Sequence, residues 1–282
     1  MDSEIENIGT LKGKLLLFGG VYSNLQALEK LISIAKSEGI PSENCICTGD
    51  IIGYCAQPQQ TIQLFKKWDA RAIAGNVEVQ LAEDKDDCGC DFREGSRCDN
   101  FSQLWYPFAK AHLEKDSLEF VRAIPRNLSF TYADKKVTVV HGSYSNISEF
   151  IFKSTPKQVK SNVFEETNSD IIIAGHCGLP FNEKIGDKLW INPGVIGMPA
   201  NNGTPRVWYA ILDENASPML SHHSFTYEHE LTNELMLENG LPQEYAKTIL
   251  NGIWDNTEIL PKAESELQGI EIEFQKTLTS QL

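Results

Sequence analysis

The stretch that decides the fold is Cys45-Ile46-Cys47-Thr48-Gly49-Asp50-Ile51-Ile52-Gly53-Tyr54, a short apolar run that halts at a glycine followed by a carboxylate. A run of this length bounded by glycine reads as a buried strand. Cys45 and Cys47 alternate within it and are expected to serve packing. The pattern repeats outward in both directions. Upstream, Lys14 to Gly20 (KLLLFGG) stops at two glycines, and from Asn24 to Lys36 the apolar residues Leu25, Leu28, Leu31, Ile32 and Ala35 recur at helical spacing. Downstream come a helix through Thr61 to Trp68 and a strand from Ala70 to Ala74 that runs into Gly75-Asn76. Strands alternating with helices predict a parallel or mixed sheet clad by helices.

Beyond Cys88, Cys90 and Cys98, read as one cysteine-rich loop, the pattern changes. Ser117 to Ile124 is expected to be a helix ended by Pro125, with paired strands at Leu128 to Tyr132 and Lys136 to Val140. A helix from Pro156 to Thr167 has proline in its first turn. Asp170 to Ala174 reads as a buried strand, Phe181 to Asn192 as a hairpin turning at Gly186-Asp187, and Val207 to Leu212 as a last strand. From Ser221 onward the sequence reads as polar helices, with eleven acidic and three basic residues. The expected division is a domain over 12–213 and an acidic helical appendage over 221–282.

The 282 residues suffice to bury a substantial core. A net charge of −14 and the lack of a basic face argue against non-specific nucleic-acid binding. The apolar run at Leu15 to Phe18 is too short for a signal or a membrane span, so a cytoplasmic protein with no membrane association is expected. Seven cysteines, an odd number, argue against a disulfide framework.

The chemically capable residues stand immediately after predicted strands, each beside a glycine: Gly49-Asp50, Gly75-Asn76, His141-Gly142 and Gly175-His176. The carboxyl ends of strands in α/β sheets are where sites form. One such residue alone commonly serves as a helix cap. Four together, a carboxylate, an amide and two imidazoles, form an oxygen/nitrogen set suited to a divalent transition metal such as Mn, Fe or Zn, and less to Ca or Mg.

GDIIGY (Gly49 to Tyr54), GNVE (Gly75 to Glu78), HGS (His141 to Ser143), GHCGLPF (Gly175 to Phe181) and INPGVIGMP (Ile191 to Pro199) resemble, in order and spacing, the signature of the calcineurin-like metallophosphoesterase superfamily: D-x-H, G-D, G-N-H-[DE], H, then G-H-x-H. The resemblance covers roughly residues 12 to 213. It implies an α/β fold (α+β), a four-layer αββα sandwich of two mixed sheets flanked by helices, and a two-metal site that hydrolyses phosphate esters with metal-activated water. It also implies where this chain departs. Gly20, Val21 and Tyr22 stand in place of D-x-H, Val77 in place of the histidine of G-N-H, and Gly178 in place of the closing histidine. By resemblance, the first metal therefore keeps only the bridging Asp50, while the second keeps Asp50, Asn76, His141 and His176.

The expectation is a mononuclear half-site, with Asp50, His141 and His176 in catalysis and Asn24 and Asn76 near substrate. The function expected is a metal-dependent phosphoric-ester hydrolase acting on a phosphorylated small molecule. The alternative is a non-catalytic relative that binds a phosphorylated ligand or partner. Cys55, Cys88, Cys90, Cys98 or Cys177, or a phenolate from Tyr22, are candidates to refill the vacated half. Asn24 is also read as a helix cap, and Arg206 either as a phosphate contact or as a surface ion pair.

Overall fold

A computed structural model describes residues 5–274, so the end of the stretch from Glu264 lies outside the described residues. Two sheets stack face to face. One has six strands: β1 (Ile5–Thr10), β5 (Asn127–Tyr132), β6 (Lys135–Val139), β7 (Ile171–Ile173), β8 (Phe181–Ile185) and β9 (Lys188–Asn192), in the order β1-β5-β6-β7-β9-β8. The other has β2 (Lys14–Phe18), β3 (Cys45–Cys47), β4 (Arg71–Ala72), β10 (Val207–Asp213) and β11 (Leu220–Phe225), in the order β11-β10-β2-β3-β4. Both are mixed. β2 pairs parallel with β3 and antiparallel with β10, and β6 pairs parallel with β7 and antiparallel with β5.

Alternation along the strands divides the core in two directions. Leu15 and Leu17 of β2 face Phe130, Val137 and Ile173 across the gap between the sheets. Leu16 and Phe18, with Cys45 and Cys47, face outward onto helices α1 (Leu25–Ser37) and α2 (Pro58–Trp68). On the far face Val163 and Phe164 of α6 (Lys157–Thr167) pack on Ile172 and Trp190. The result is the expected four layers, helix, sheet, sheet, helix. Burying each of these side chains contributes about 1.5–3 kcal/mol.

Four elements depart from the sequence reading. α3 (Asn76–Ala82) follows β4 after Ile73, Ala74 and Gly75, with Gly75 as its N-cap. α4 (Arg97–Ala111) takes over only the end of the expected cysteine loop, carrying Cys98 and containing Pro107, while Cys88 and Cys90 stay in irregular chain before it. β1 adds a parallel edge strand. The residues from Ser221 do not open on a helix: they form β11, antiparallel to β10. Only after it come α7 (His229–Glu238), α8 (Gln243–Asn251) and α9 (Lys262–Ser265), while α5 (Lys115–Ala123) sits where its apolar spacing predicts. Among the described residues, no helix is long and apolar enough to cross a membrane.

Candidate metal centre

The loops after β3, β4, β6 and β7 meet at one end of the stacked sheets and bring four predicted side chains together. His141 is the hub. Its Nε2 lies 3.3 Å from Asp50 Oδ2, 3.1 Å from Asn76 Oδ1 and 3.1 Å from His176 Nδ1. Asp50, His141 and His176 offer ligand atoms within 4.8 Å of one another, and all three residues are buried. Among the described residues, this group of potential metal ligands contains no cysteine.

Each side chain is aimed by a neighbour. Nδ1 of His141 donates to the Thr48 carbonyl at 2.6 Å, which directs Nε2 inward. The Asn76 amide donates to the Cys88 carbonyl at 2.8 Å and to Cys90 Sγ at 3.1 Å, which turns Oδ1 to the hub. Phe150 stacks on the His176 ring at 4.2 Å. Asp50 and His176 both hold left-handed backbone, φ 56° and 60°, a conformation that costs a non-glycine residue about 1 kcal/mol or more. Gly75 leaves room for the Asp50 carboxylate, since a Cβ there would run into Asp50 Oδ1. A Cβ on Gly49 would lie 2.6 Å from His141 Nδ1.

Glu78 is the structural partner that the sequence reading passed over. It is fully buried, and its carboxylate accepts from the backbone N–H groups of Asp50 (2.8 Å), Gly75 (2.9 Å) and Ile52 (3.0 Å), tying the Asp50 loop to the start of α3. The signal was present, because an acidic residue three positions after a helix cap is the capping-box spacing. Thr48 and Phe150 were also missed, and nothing local in the sequence marks them.

The electrostatics of the cluster are those of too many acceptors. Burial disfavours charge on Asp50, but the neighbouring His141 outweighs it and holds the carboxyl below its ordinary range. Burial likewise opposes charge on His141, yet Asp50 wins and raises it. His176 is pushed down to about 3, by burial and then by His141, and stays neutral. Burial and the Asp50 charge push Glu78 up to about 7. In this arrangement one proton on His141 Nε2 faces a carboxylate oxygen, an amide oxygen and an imidazole lone pair at once. It can satisfy one of them well. A divalent cation accepts all four donor atoms, so the set fits a transition metal through two imidazoles, one carboxylate and one amide oxygen.

The other candidates go elsewhere. Asn24 is fully used within the fold: Oδ1 accepts from Ala27 N (3.1 Å) and Thr232 Oγ1 (3.2 Å), and Nδ2 donates to the Gly197 carbonyl (3.1 Å) and Tyr227 Oη (2.9 Å). Its amide donors and its oxygen are thus all engaged within the fold. Arg206 pairs with Glu271. Cys177 accepts from Asn192 Nδ2 at 3.2 Å, and burial pushes its thiol up to about 12. Burial also raises Cys55, whose Sγ lies 3.8 Å from the Gly197 carbonyl. Cys98 contacts Asn256 at 3.4 Å.

The position that Gly20, Tyr22 and Gly178 vacate is occupied by rings. The Tyr22 ring lies over Gly20, where a Cβ would sit 2.5 Å from Tyr22 Cζ, and it meets Tyr54 edge-on at 4.6 Å. Burial pushes the Tyr22 phenol far up, so in the absence of a neighbouring cation its hydroxyl is neutral. Trp254 comes from the segment after α8 and covers Gly178, where a Cβ would meet the indole at 3.3 Å. The Trp254 Nε1 donates to the Pro199 carbonyl at 2.8 Å.

Comparison with known proteins gives the family and the fold. The calcineurin-like phosphoesterase superfamily domain matches residues 14–217. An uncharacterized protein of Methanocaldococcus jannaschii is 25% identical over 259 residues, covering 86% of this chain and 99% of that protein. Two solved structures share the fold. A hypothetical protein from Pyrococcus horikoshii OT3 has 18% identity and a TM-score of 0.71, covering 86% of this chain and 99% of its own. A metallophosphoesterase from Sphaerobacter thermophilus has 21% identity and a TM-score of 0.67, covering 86% and 100%.

Proposed function

Because the chain belongs to the calcineurin-like phosphoesterase superfamily, we propose that it hydrolyses phosphoric esters with a single divalent transition metal, Mn, Fe or Zn, held by Asp50, Asn76, His141 and His176. The observation that carries this reading is the convergence of three acceptor atoms on His141 Nε2 within 3.1–3.3 Å in a buried site. When bound, such a cation lowers the pKa of water and stabilises charge on phosphoryl oxygens. The chain's residues supply the rest. Thr48 fixes the His141 tautomer, Cys88 and Cys90 fix the Asn76 amide, Glu78 fixes the loop bearing Asp50, and Phe150 fixes the plane of His176. Such preorganisation is where catalysis of this kind draws its rate. Val77 is buried and apolar and has no proton to give, which favours esters whose leaving group departs unprotonated.

Metal analysis of the purified chain, followed by assays on bis(4-nitrophenyl) phosphate and 4-nitrophenyl phosphate with Mn, Fe or Zn, tests the proposal. The expected result is one metal per chain and turnover that falls at least 100-fold in Asp50→Ala and His141→Ala. A chain that takes up none of these metals would overturn it. The rings of Tyr22 and Trp254 in the vacated half favour a second reading, a protein that binds a phosphorylated ligand without turnover. Metal uptake with no hydrolysis of either ester would select that reading.

A further inference from the structure

The loop that grips Asn76 carries two thiols whose chemistry the metal reading leaves unused. Asn76 Nδ2 donates to the Cys88 carbonyl at 2.8 Å and to Cys90 Sγ at 3.1 Å, so one of the two holds on this amide is a sulfur atom. The thiols of Cys88 and Cys90 lie within hydrogen-bonding reach of one another. Gly89 makes the turn between them: its φ is +71°, and a Cβ there would meet Gln80 Nε2 at 2.6 Å. The Gly89 carbonyl is tied down in turn by Ser148 Oγ at 2.5 Å. Two residues beyond Cys90, Phe92 stacks on Phe150 at 6.4 Å, and Phe150 stacks on His176 at 4.2 Å. One short loop therefore bears on two of the four donors, on Asn76 directly and on His176 through a ring.

Exposure singles out the same sulfur. Of the seven cysteines, all among the described residues, six are buried and Cys90 is partly exposed. Cys90 also lines the cavity beside Asp50 and His176, so a small solute can reach its thiol from solvent. Hydrogen peroxide is such a solute. In a first step Cys90 Sγ attacks a peroxide oxygen, the O–O bond breaks, water leaves, and Cys90 becomes a sulfenic acid. In a second, Cys88 Sγ attacks the Cys90 sulfur, the S–O bond breaks, and the departing hydroxide takes up the Cys88 thiol proton as a second water. The thiol pair is oxidised by two electrons and the peroxide is reduced by the same two. Forming the S–S bond draws the Cys90 sulfur onto Cys88 and away from the Asn76 amide, which keeps only the Cys88 carbonyl. Loss of one such outer partner commonly weakens metal binding about 10- to 100-fold.

We propose that Cys88 and Cys90 form a peroxide-sensitive dithiol whose oxidation to a disulfide loosens Asn76 and lowers the affinity of the centre for its cation. The disulfide is a property of the loop alone; the drop in affinity rests on the metal reading given above.

The test treats the full chain, free of metal, with roughly stoichiometric hydrogen peroxide at about pH 8, then desalts it for peptide mapping by mass spectrometry and calorimetric titration with Mn²⁺. The expected result is a peptide that holds both Cys88 and Cys90 and has lost two hydrogens, with a Kd for Mn²⁺ raised about tenfold and both changes reversed by dithiothreitol. Cys90→Ser removes the oxidisable atom and leaves a hydroxyl to accept from Asn76, so its treated and untreated forms are expected to bind Mn²⁺ alike. Should that variant not fold, the peptide map and the dithiothreitol reversal on the unaltered chain still decide. A disulfide at another cysteine pair, or none at all, overturns the proposal. So does a Kd that stays within about twofold once Cys88 and Cys90 are joined. A treated Cys90→Ser chain that weakens as much as the unaltered one puts the effect elsewhere and overturns it too. If the map shows the Cys88–Cys90 bond but neither form takes up Mn²⁺, the metal reading falls and the coupling with it, while the dithiol stands.

Discussion

Two halves of one pocket sit on the ends of the same strands and follow opposite rules. On the side of Asp50, Asn76, His141 and His176, acceptor atoms crowd within 3.1–3.3 Å of one nitrogen, on backbone twisted to φ near 60° at two residues. On the side of Gly20, Tyr22 and Gly178, rings pack against glycines and each polar edge of Trp254 finds a partner. Packing alone explains the second half. It does not explain the first, since buried groups that face one another acceptor to acceptor cost free energy unless a cation joins them. That contrast is the reason for proposing the metal on the strained side.

The comparison breaks most readily at Glu78, which holds the strained half together. Glu78→Ala would leave the buried N–H groups of Asp50, Gly75 and Ile52 without their acceptor. The expected loss of stability is about 3–5 kcal/mol, measured by urea unfolding of the metal-free chain. A loss below about 1 kcal/mol would mean that the Asp50 loop is held by something else, and the crowding would then need no support.

A second test uses the proton that stands in for the cation. Asp50 raises His141 above its ordinary value of 6.5. A group raised in the folded state adds stability that is full below its unfolded pKa and is lost as pH rises through the folded one. The metal-free chain should therefore lose this contribution as pH climbs above 6.5. Metal affinity should move the other way, because His141 Nε2 must shed its proton to bind a cation. Below the folded pKa of His141, Mn²⁺ affinity is expected to fall by up to about tenfold per pH unit. Calorimetry in buffers of different ionisation enthalpy would report the released proton. Flat affinity across this range would show that the two imidazoles are already neutral and that the cluster is not proton-compensated.

How much of this was legible in the sequence follows from the same contrast. The strained half was legible because each of its residues ends an apolar strand beside a glycine, a purely local pattern. The cores of β2, β3 and β7 were legible for the same reason, being continuous apolar runs. The packed half was not. Trp254 reaches Gly178 across 76 positions of chain, and no local period announces that contact. α4 was hidden by Pro107, which usually ends a helix, and by its mixed polar face. β11 was hidden because Ser221, His222, His223 and Ser224 are all half-buried at a sheet edge, so no alternation of polar and apolar residues marks it as a strand. Its partner β10 imposes the conformation instead.

The smallest effect is the most informative about whether the halves act independently. Gly178 holds φ +77°, and a Cβ there would sit 3.3 and 3.4 Å from the Trp254 indole. Gly178→Ala adds left-handed strain at a non-glycine residue and a contact tighter than ordinary packing, which together are expected to cost about 1 kcal/mol of stability. It touches none of the four donor atoms, so Mn²⁺ affinity should stay within about threefold of the unaltered chain if the two halves are independent. A larger drop would mean that Trp254, pressed outward by the new methyl, carries its shift back along Gly178 and Cys177 to His176. The packed half would then be part of the metal site's support, and the division between chemistry and shape on the two sides of the pocket would not hold.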